Sequence, residues 1–331
     1  MLHIRNILVA VKRLESPSLP AVLKAAQIAR ACGAELELFH GLAEPLYTDL
    51  YGAGRYCLEA LQQQVRLRAQ HKLETIADRL RRHSIRVTVT VDWDYPAYEA
   101  IVRRALQSKA DLIVAQRYEG RHSASRLMRL TDWELVRTSP VPVLLVKDPH
   151  PYRHPPILAA IDPSHQFAKP LQLDKLILSA AGSLSRALHG ALHAVHGYIG
   201  VPINAMSDQI ATPQSLAALA RQSKRTAAAG FSRELRAVRI ARSRRYLIAG
   251  RAIDAILEAA KRSRSAIVVM GAVSRSGIKR LLIGNSAERI LDELSCDILV
   301  LKPQSFRTPV PAKQRGAQLA MAARAGLPGY Y

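Results

Sequence analysis

Short apolar runs alternate with longer amphipathic stretches along this chain, and the whole alternation occurs twice. In the first half, Asn6–Val11 is apolar on both faces and predicts a buried strand. Pro20–Ala31 has helical spacing, Glu35–His40 predicts a strand, and Tyr56–His83 predicts a long helix. Arg86–Asp92 alternates at strand period; Tyr98–Ser108, Asp111–Ala115, Asp132–Thr138 and Val141–Val146 then predict helix, strand, helix and strand. In the second half, strands are expected near 156–161, 190–196, 238–248, 266–270 and 297–301. Helices are expected near 168–187, 207–236, 251–263 and 285–295. Strands apolar on both faces and separated by helices imply a parallel sheet covered on both sides. The expected class is α/β, with two doubly wound, Rossmann-like sheets of five parallel strands and helices on both faces.

The halves are copies of one unit. Ile7-Leu-Val-Ala-Val-Lys12 returns as Ile157-Leu-Ala-Ala-Ile-Asp162, and Phe39-His40-Gly41 as Val195-His196-Gly197. Trp133-Glu134-Leu-Val resembles Ala287-Glu288-Arg-Ile, and Val143-Leu-Leu-Val-Lys147 returns as Ile298-Leu-Val-Leu-Lys302. Four matches in one order indicate a tandem repeat. The expected organisation is a domain over 1–148, a Pro-rich linker over 149–156, a second domain over 157–303 and a basic tail over 304–331. The 331 residues agree with two domains at roughly 150 residues each.

Composition narrows the classes. Hydrophobic residues make up 49%, which argues against general disorder. Three cysteines, Cys32, Cys57 and Cys296, are too few and scattered for a disulfide framework or a CxxC metal site. The opening MLHIRNILVAVKRL lacks the apolar core of a secretory signal, and no apolar run reaches the roughly 18 residues of a membrane span. A reduced, cytoplasmic setting is expected. The net charge of +22 calls for anionic partners, and it is shared unevenly, +6 in residues 1–150 and +16 in 151–331.

In parallel sheets, ligands bind beyond the carboxyl ends of the strands, where the strand order reverses. In the second unit, one such end carries Asp162-Pro163-Ser164, and another runs from Met270 into Gly271. Gly284-Asn285-Ser286 precedes the last expected helix, where free N–H groups and the positive helix end suit a phosphate. The same residues also suit a plain N-cap, and Asp162 suits a turn before Pro163.

These residues resemble the universal stress protein family, whose nucleotide loop has the form Gly-x-x-Gly-x9-Gly-[Ser/Thr]. Here the loop reads Gly271-Ala-Val-Ser274, nine residues, then Gly284-Asn285, so Ser274 replaces a glycine and Asn285 a hydroxyl residue. Val201-Pro-Ile-Asn204 and Leu-Ile-Gly-Asn-Ser-Ala-Glu-Arg-Ile-Leu are similar to the tandem-domain UspE-like branch. The resemblance covers nearly all of 1–303. It implies ATP or ADP in the C-terminal domain, with Asp162 on the ribose and Ala160, Ala194 and Met270 beside adenine. Gly271, Ser274, Gly284, Asn285 and Ser286 would form the phosphate loop, with Mg²⁺ or Mn²⁺ entering through the phosphates. It further implies a stress-response regulator acting through nucleotide-dependent protein contacts, with at most slow ATP hydrolysis and no catalytic or metal-ligating residues assigned.

Two other readings stand beside it: a scaffold that binds no nucleotide, and a basic factor associated with RNA or DNA. The first unit carries Lys12 in place of Asp162, Arg117 near the place of the loop glycine, and Leu130-Thr131 in place of Gly284-Asn285. Bulk at each approach point predicts a degenerate site, leaving another, unidentified ligand or only a role in the interface of an internal pseudo-dimer of the two domains. His189, His193 and His196 do not share a face if they lie on a strand, which argues against a metal site. Cys296 reads as apolar filler. Arg239, Arg242, Arg244 and Arg245 read as a solvated strand face that resists edge pairing. The Walker pattern GxxxxGK[ST] is absent. In the tail, Ala317–Ala325 has helical composition, and the segment is expected either mobile or held against a partner.

Overall fold

The central strands are almost wholly apolar because they are covered on both faces, whereas the edge strands Val87–Trp93 and Arg245–Ala249 are part-exposed. The computed structural model describes residues 3–16, 18–42, 55–117, 132–163, 172–201, 212–272 and 292–314. Two compact units divide the chain: an N-terminal unit of Ile4–Pro151 with Arg307–Tyr331, and a C-terminal unit of Tyr152–Phe306 with Met1–His3.

The N-terminal unit contains β1 (Asn6–Ala10), α1 (Pro20–Cys32), β2 (Glu35–Leu42), α2 (Arg55–Arg81), β3 (Val87–Trp93), α3 (Ala97–Gln107), β4 (Leu112–Gln116) and β5 (Val143–Val146). Residues 132–138 are helical. The strands pair in the order β3-β2-β1-β4-β5, all parallel. Helix α1 starts on Pro20, where a missing N–H costs nothing, and stops at Gly33, whose φ of 68° only glycine adopts freely. Its face Ala21, Val22, Ala25, Ile28 and Ala29 is buried against β1, β4 and β5. That burial, at about 25 cal/mol per Å² of apolar surface, holds the helix on the sheet.

Helix α3 is tied down by charge as well. Arg103 donates to both Asp94 carboxylate oxygens at 2.7 Å and to Glu99 at 2.9 Å, and all three side chains are buried. Burial alone would lower the Arg103 pKa, but hydrogen bonds and the charges of Asp94 and Glu99 outweigh it and raise it. The same guanidinium donates to the carbonyl of Pro311 at 3.0 Å, and Val310 beside it is buried. The described start of the tail is therefore docked on α3, whereas Ala317–Ala325 lies outside the described residues.

The C-terminal unit repeats the plan with β6 (Pro156–Ala160), α4 (Leu173–Ala187), β7 (Ala191–Tyr198), α5 (Pro213–Glu234), β8 (Arg245–Ala249), α6 (Ala252–Ser263), β9 (Ile267–Gly271) and β10 (Asp297–Leu301). Its order is β10-β9-β6-β7-β8, again all parallel. Helix α5 opens on Thr212, whose hydroxyl accepts from the Ser215 N–H at 3.2 Å, followed by Pro213 at the first helical position. Gly197 in β7 admits α6: a Cβ there would lie 2.9 Å from Ala255 Cβ and 3.0 Å from Ala252 Cα.

One expected element is shorter than its sequence suggests. The strand anticipated over 238–248 is β8 alone, preceded by 3-10 turns at Leu235–Ala237 and Arg242–Arg244. Val238 and Ile240 alternate like strand residues, but Ala241-Arg-Ser-Arg244 breaks the alternation. The Arg245 guanidinium then takes the Ile240 carbonyl, at 3.0 Å from Nε and 2.7 Å from Nη2, which closes a turn instead of a ladder. Arg239, Arg242 and Arg244 thus sit in the connection before the edge strand and not on it.

Candidate functional site

In the C-terminal unit the strand order reverses between β6 and β9, and their carboxyl ends open side by side. The pairing Ile157↔Ile267, Leu158↔Val268 and Ala159↔Val269 brings Ala160 level with Met270, and Asp162 beyond it near Gly271 and Ala272. Ala160 and Met270 are each 6% exposed and Ala194 is fully buried, so the apolar floor is thin at the surface. Asp162 keeps a partly exposed carboxylate, 20% accessible. Its backbone N–H donates to Asp174 Oδ1 at 3.2 Å, from the first turn of α4. Its Oδ1 lies 3.9 Å from Nδ1 of the buried His196, whose ring packs against Phe231 with centroids 6.0 Å apart.

Asp174 is the functional-looking residue the sequence did not single out. It is 1% exposed, and it fixes the backbone of Asp162 from a helix end that favours negative charge. An acid in the first turn of this helix, on its buried side, was the available signal.

Gly271 has a structural reason of its own. A Cβ there would come within 2.6 Å of Leu173 Cδ2 and 3.3 Å of Ile177 Cδ1, so helix α4 already fills the space a side chain would take. What remains for a ligand is the backbone. Ser274, Gly284, Asn285 and Ser286 lie outside the described residues.

The N-terminal unit presents different chemistry at the equivalent ends. The Val11 and Ile161 amides donate to Phe39 and Val195 in matching positions, so Lys12 stands where Asp162 stands. The amides of Arg117 and Ala272 likewise donate to the carbonyls of β5 and β10 residues Val146 and Leu301. Gln116 therefore holds the place of Gly271, and Arg117 falls one residue beyond it. Lys12 Nζ is ion-paired with Asp132 Oδ1, and the Asp132 side chain is fully buried. Arg117 lies over the Trp133 ring, 5.7 Å from its centroid. Burial first, and the Arg117 charge second, lower the Lys12 amine to about 7.

The histidines do not gather. His189 is exposed at a turn with φ 51°, His193 stacks on Tyr246 with centroids 5.9 Å apart, and His196 faces Asp162. Among the described residues no group of His, Cys, Asp and Glu is placed to hold a metal ion. Cys296 is buried. No described helix is long and apolar enough to cross a membrane.

Two doubly wound units with open strand ends, one carrying a carboxylate and the other an internal ion pair, define a tandem Rossmann-like α/β protein. The universal stress protein family model matches residues 3–147 and 155–302, and the chain belongs to that family. Universal stress protein E of Escherichia coli K12 is 28% identical over 229 residues, covering 68% of this chain and 71% of that protein. The homolog from Haemophilus influenzae is 27% identical, covering 73% and 78%. Among solved structures, the functionally unknown protein PA1789 of Pseudomonas aeruginosa PAO1 has a TM-score of 0.67 at 24% identity, covering 98% of both chains. A universal stress protein from Archaeoglobus fulgidus has a TM-score of 0.58 at 15% identity, covering 92% of this chain and 99% of that one. These structures show the fold, and the family gives the chain a stress-response role.

Proposed function

We propose that the C-terminal unit binds ATP or ADP at the carboxyl ends of β6 and β9, and that nucleotide state sets its contacts with a protein partner. The observation that carries this is the asymmetry at the reversal point. Asp162 is held there by its backbone with a partly exposed carboxylate, suited to ribose hydroxyls, while the N-terminal copy has the buried Lys12–Asp132 pair. Ser274, Gly284, Asn285 and Ser286 complete the reading as phosphate contacts, and Mg²⁺ or Mn²⁺ would arrive bound to the phosphates. Turnover is at most slow in this reading, in keeping with the lack of a GxxxxGK[ST] pattern in the sequence. The N-terminal unit takes no nucleotide in this reading, and the working compartment is the cytoplasm.

Native mass spectrometry of the full chain with ATP and Mg²⁺ tests it. One nucleotide per chain is expected, with affinity lowered roughly tenfold by Asp162→Ala, as for loss of a charge-assisted hydrogen bond. Lys12→Ala should leave it unchanged. Absence of nucleotide at millimolar ATP, with no rise in melting temperature, would discard the proposal.

A further inference from the structure

Residues 209–253 hold ten Lys and Arg against one acid, Glu234, so this stretch carries most of the positive excess of the C-terminal half. One strand-end nucleotide does not account for it. The turns between α5 and β8 enclose a groove of about 490 Å³ lined by Arg236, Arg239 and Arg245 together with Ser232, Leu235 and Ile240. Buried Leu235 and Ile240 anchor its wall. Arg245 is half-buried and fixed, because two of its five N–H groups are given to the Ile240 carbonyl. Its remaining donors are thereby oriented by the fold and not by solvent.

Around this fixed guanidinium the charges are uncompensated. Among the described residues, none of Arg233, Arg236, Arg239, Arg242 and Arg244 makes an ion pair, although other exposed arginines of the unit, Arg251 and Arg262, each have a carboxylate. Crowded like charges repel, and a counter-anion relieves them. Their field reaches inward: burial, and then the charge of Arg244, lower the pKa of His193 below its usual value.

We propose that this groove is an anion site of the C-terminal unit that takes a small ligand carrying two or more linked phosphate groups. It shares no lining residue with the strand-end site. The pairings Arg245↔Ala194 and Ala159↔Ala194 place its fixed arginine two strands across from β6 and level with Ala159, well before Asp162. Three guanidinium forks around one cavity match several phosphate oxygens in pairs, whereas a lone carboxylate would answer only one of them. The volume suits a small molecule. A single-stranded nucleic acid gains its affinity largely by stacking bases on aromatic faces, and the neighbouring Tyr246 is already stacked on His193.

Calorimetric titration of the full chain with tripolyphosphate at about 50 mM salt tests this, because phosphate binding to arginine is strongest at low salt. A Gly284→Val background is used so that the proposed nucleotide loop contributes nothing. Saturable binding is expected there, weakened at least roughly tenfold by Arg236→Ala with Arg239→Ala, since each substitution removes charge-assisted hydrogen bonds. Both arginines are exposed, so the double variant should melt like its parent. The proposal is overturned by absence of saturable binding in the Gly284→Val protein, or by equal affinity in the double variant. It is also overturned if a single-stranded oligonucleotide displaces tripolyphosphate with an affinity that grows with strand length.

Discussion

Gly197 and Gly271 both clear space for a helix, but what they clear it for differs. At Gly197 a Cβ would meet Ala252 Cα at 3.0 Å and Ala255 Cβ at 2.9 Å, neither of which can swing aside. At Gly271 the contacts are with the Leu173 side chain, Cδ2 at 2.6 Å and Cγ at 3.0 Å, atoms that a change of rotamer can move, unlike a Cα. Gly197→Ala is therefore expected to cost about 1–3 kcal/mol by overpacking, and Gly271→Ala less. Urea denaturation of the two variants decides the order; equal or reversed losses would contradict these contacts. Neither contact was legible in the sequence. Gly197 repeats Gly41 and Gly271 suggested ligand access, yet the demand comes from helices whose distance to the sheet no local pattern encodes. At Gly41 the corresponding Cβ would meet Ala100 Cβ at a comfortable 3.5 Å.

Among the elements, the strands were the most legible, because a run apolar on both faces has one stable place in a globular protein, the middle of a covered parallel sheet. Asn6–Ala10, Leu112–Gln116 and Asp297–Leu301 fall within a residue or so of where their apolar runs begin and end. Only the start of the edge strand β8 was not legible, since the turn before it is closed by the Arg245 side chain donating to the Ile240 carbonyl five residues back. Docking of the tail on α3 was equally hidden. It uses a backbone carbonyl, Pro311, that any sequence would supply, and a buried Arg103 that looks like any helix-surface arginine. Replacing Arg103 by Met leaves Asp94 and Glu99 buried without their shared cation, a change that typically costs about 3–5 kcal/mol. The expected result is that loss in chemical denaturation, together with faster proteolysis near Lys313 under native conditions as the tail loses its anchor. A stable Arg103→Met protein with an unaltered cleavage rate would show that α3 and the tail do not depend on the triad.

For the molecule as a whole, duplication has given one fold two different electrostatic solutions at the same strand end. Asp162 lies at the surface of the C-terminal unit, while its counterpart Lys12 is drawn inward to Asp132 under the charge of Arg117. The sequence showed the exchange of Asp for Lys; it did not show that Lys12 would be buried, because its partner is 120 residues away. This buried amine imposes a sign on the pH dependence of stability. Its pKa is about 7 in the folded chain against the ordinary lysine value of 10.5, so between these limits the unfolded chain holds a proton that the folded chain has released. Raising the pH across that window favours the folded state, and the gain disappears as pH falls back through 7. Lys12→Met removes the titrating group while keeping an unbranched apolar stem. Relative to this variant, the parent should gain stability between about pH 7 and pH 10 and gain nothing further below pH 6. Parallel urea denaturation at each pH measures the difference directly. A difference that does not change with pH would mean that Lys12 titrates normally in the folded protein, and that its pairing with Asp132 outweighs the cost of burial.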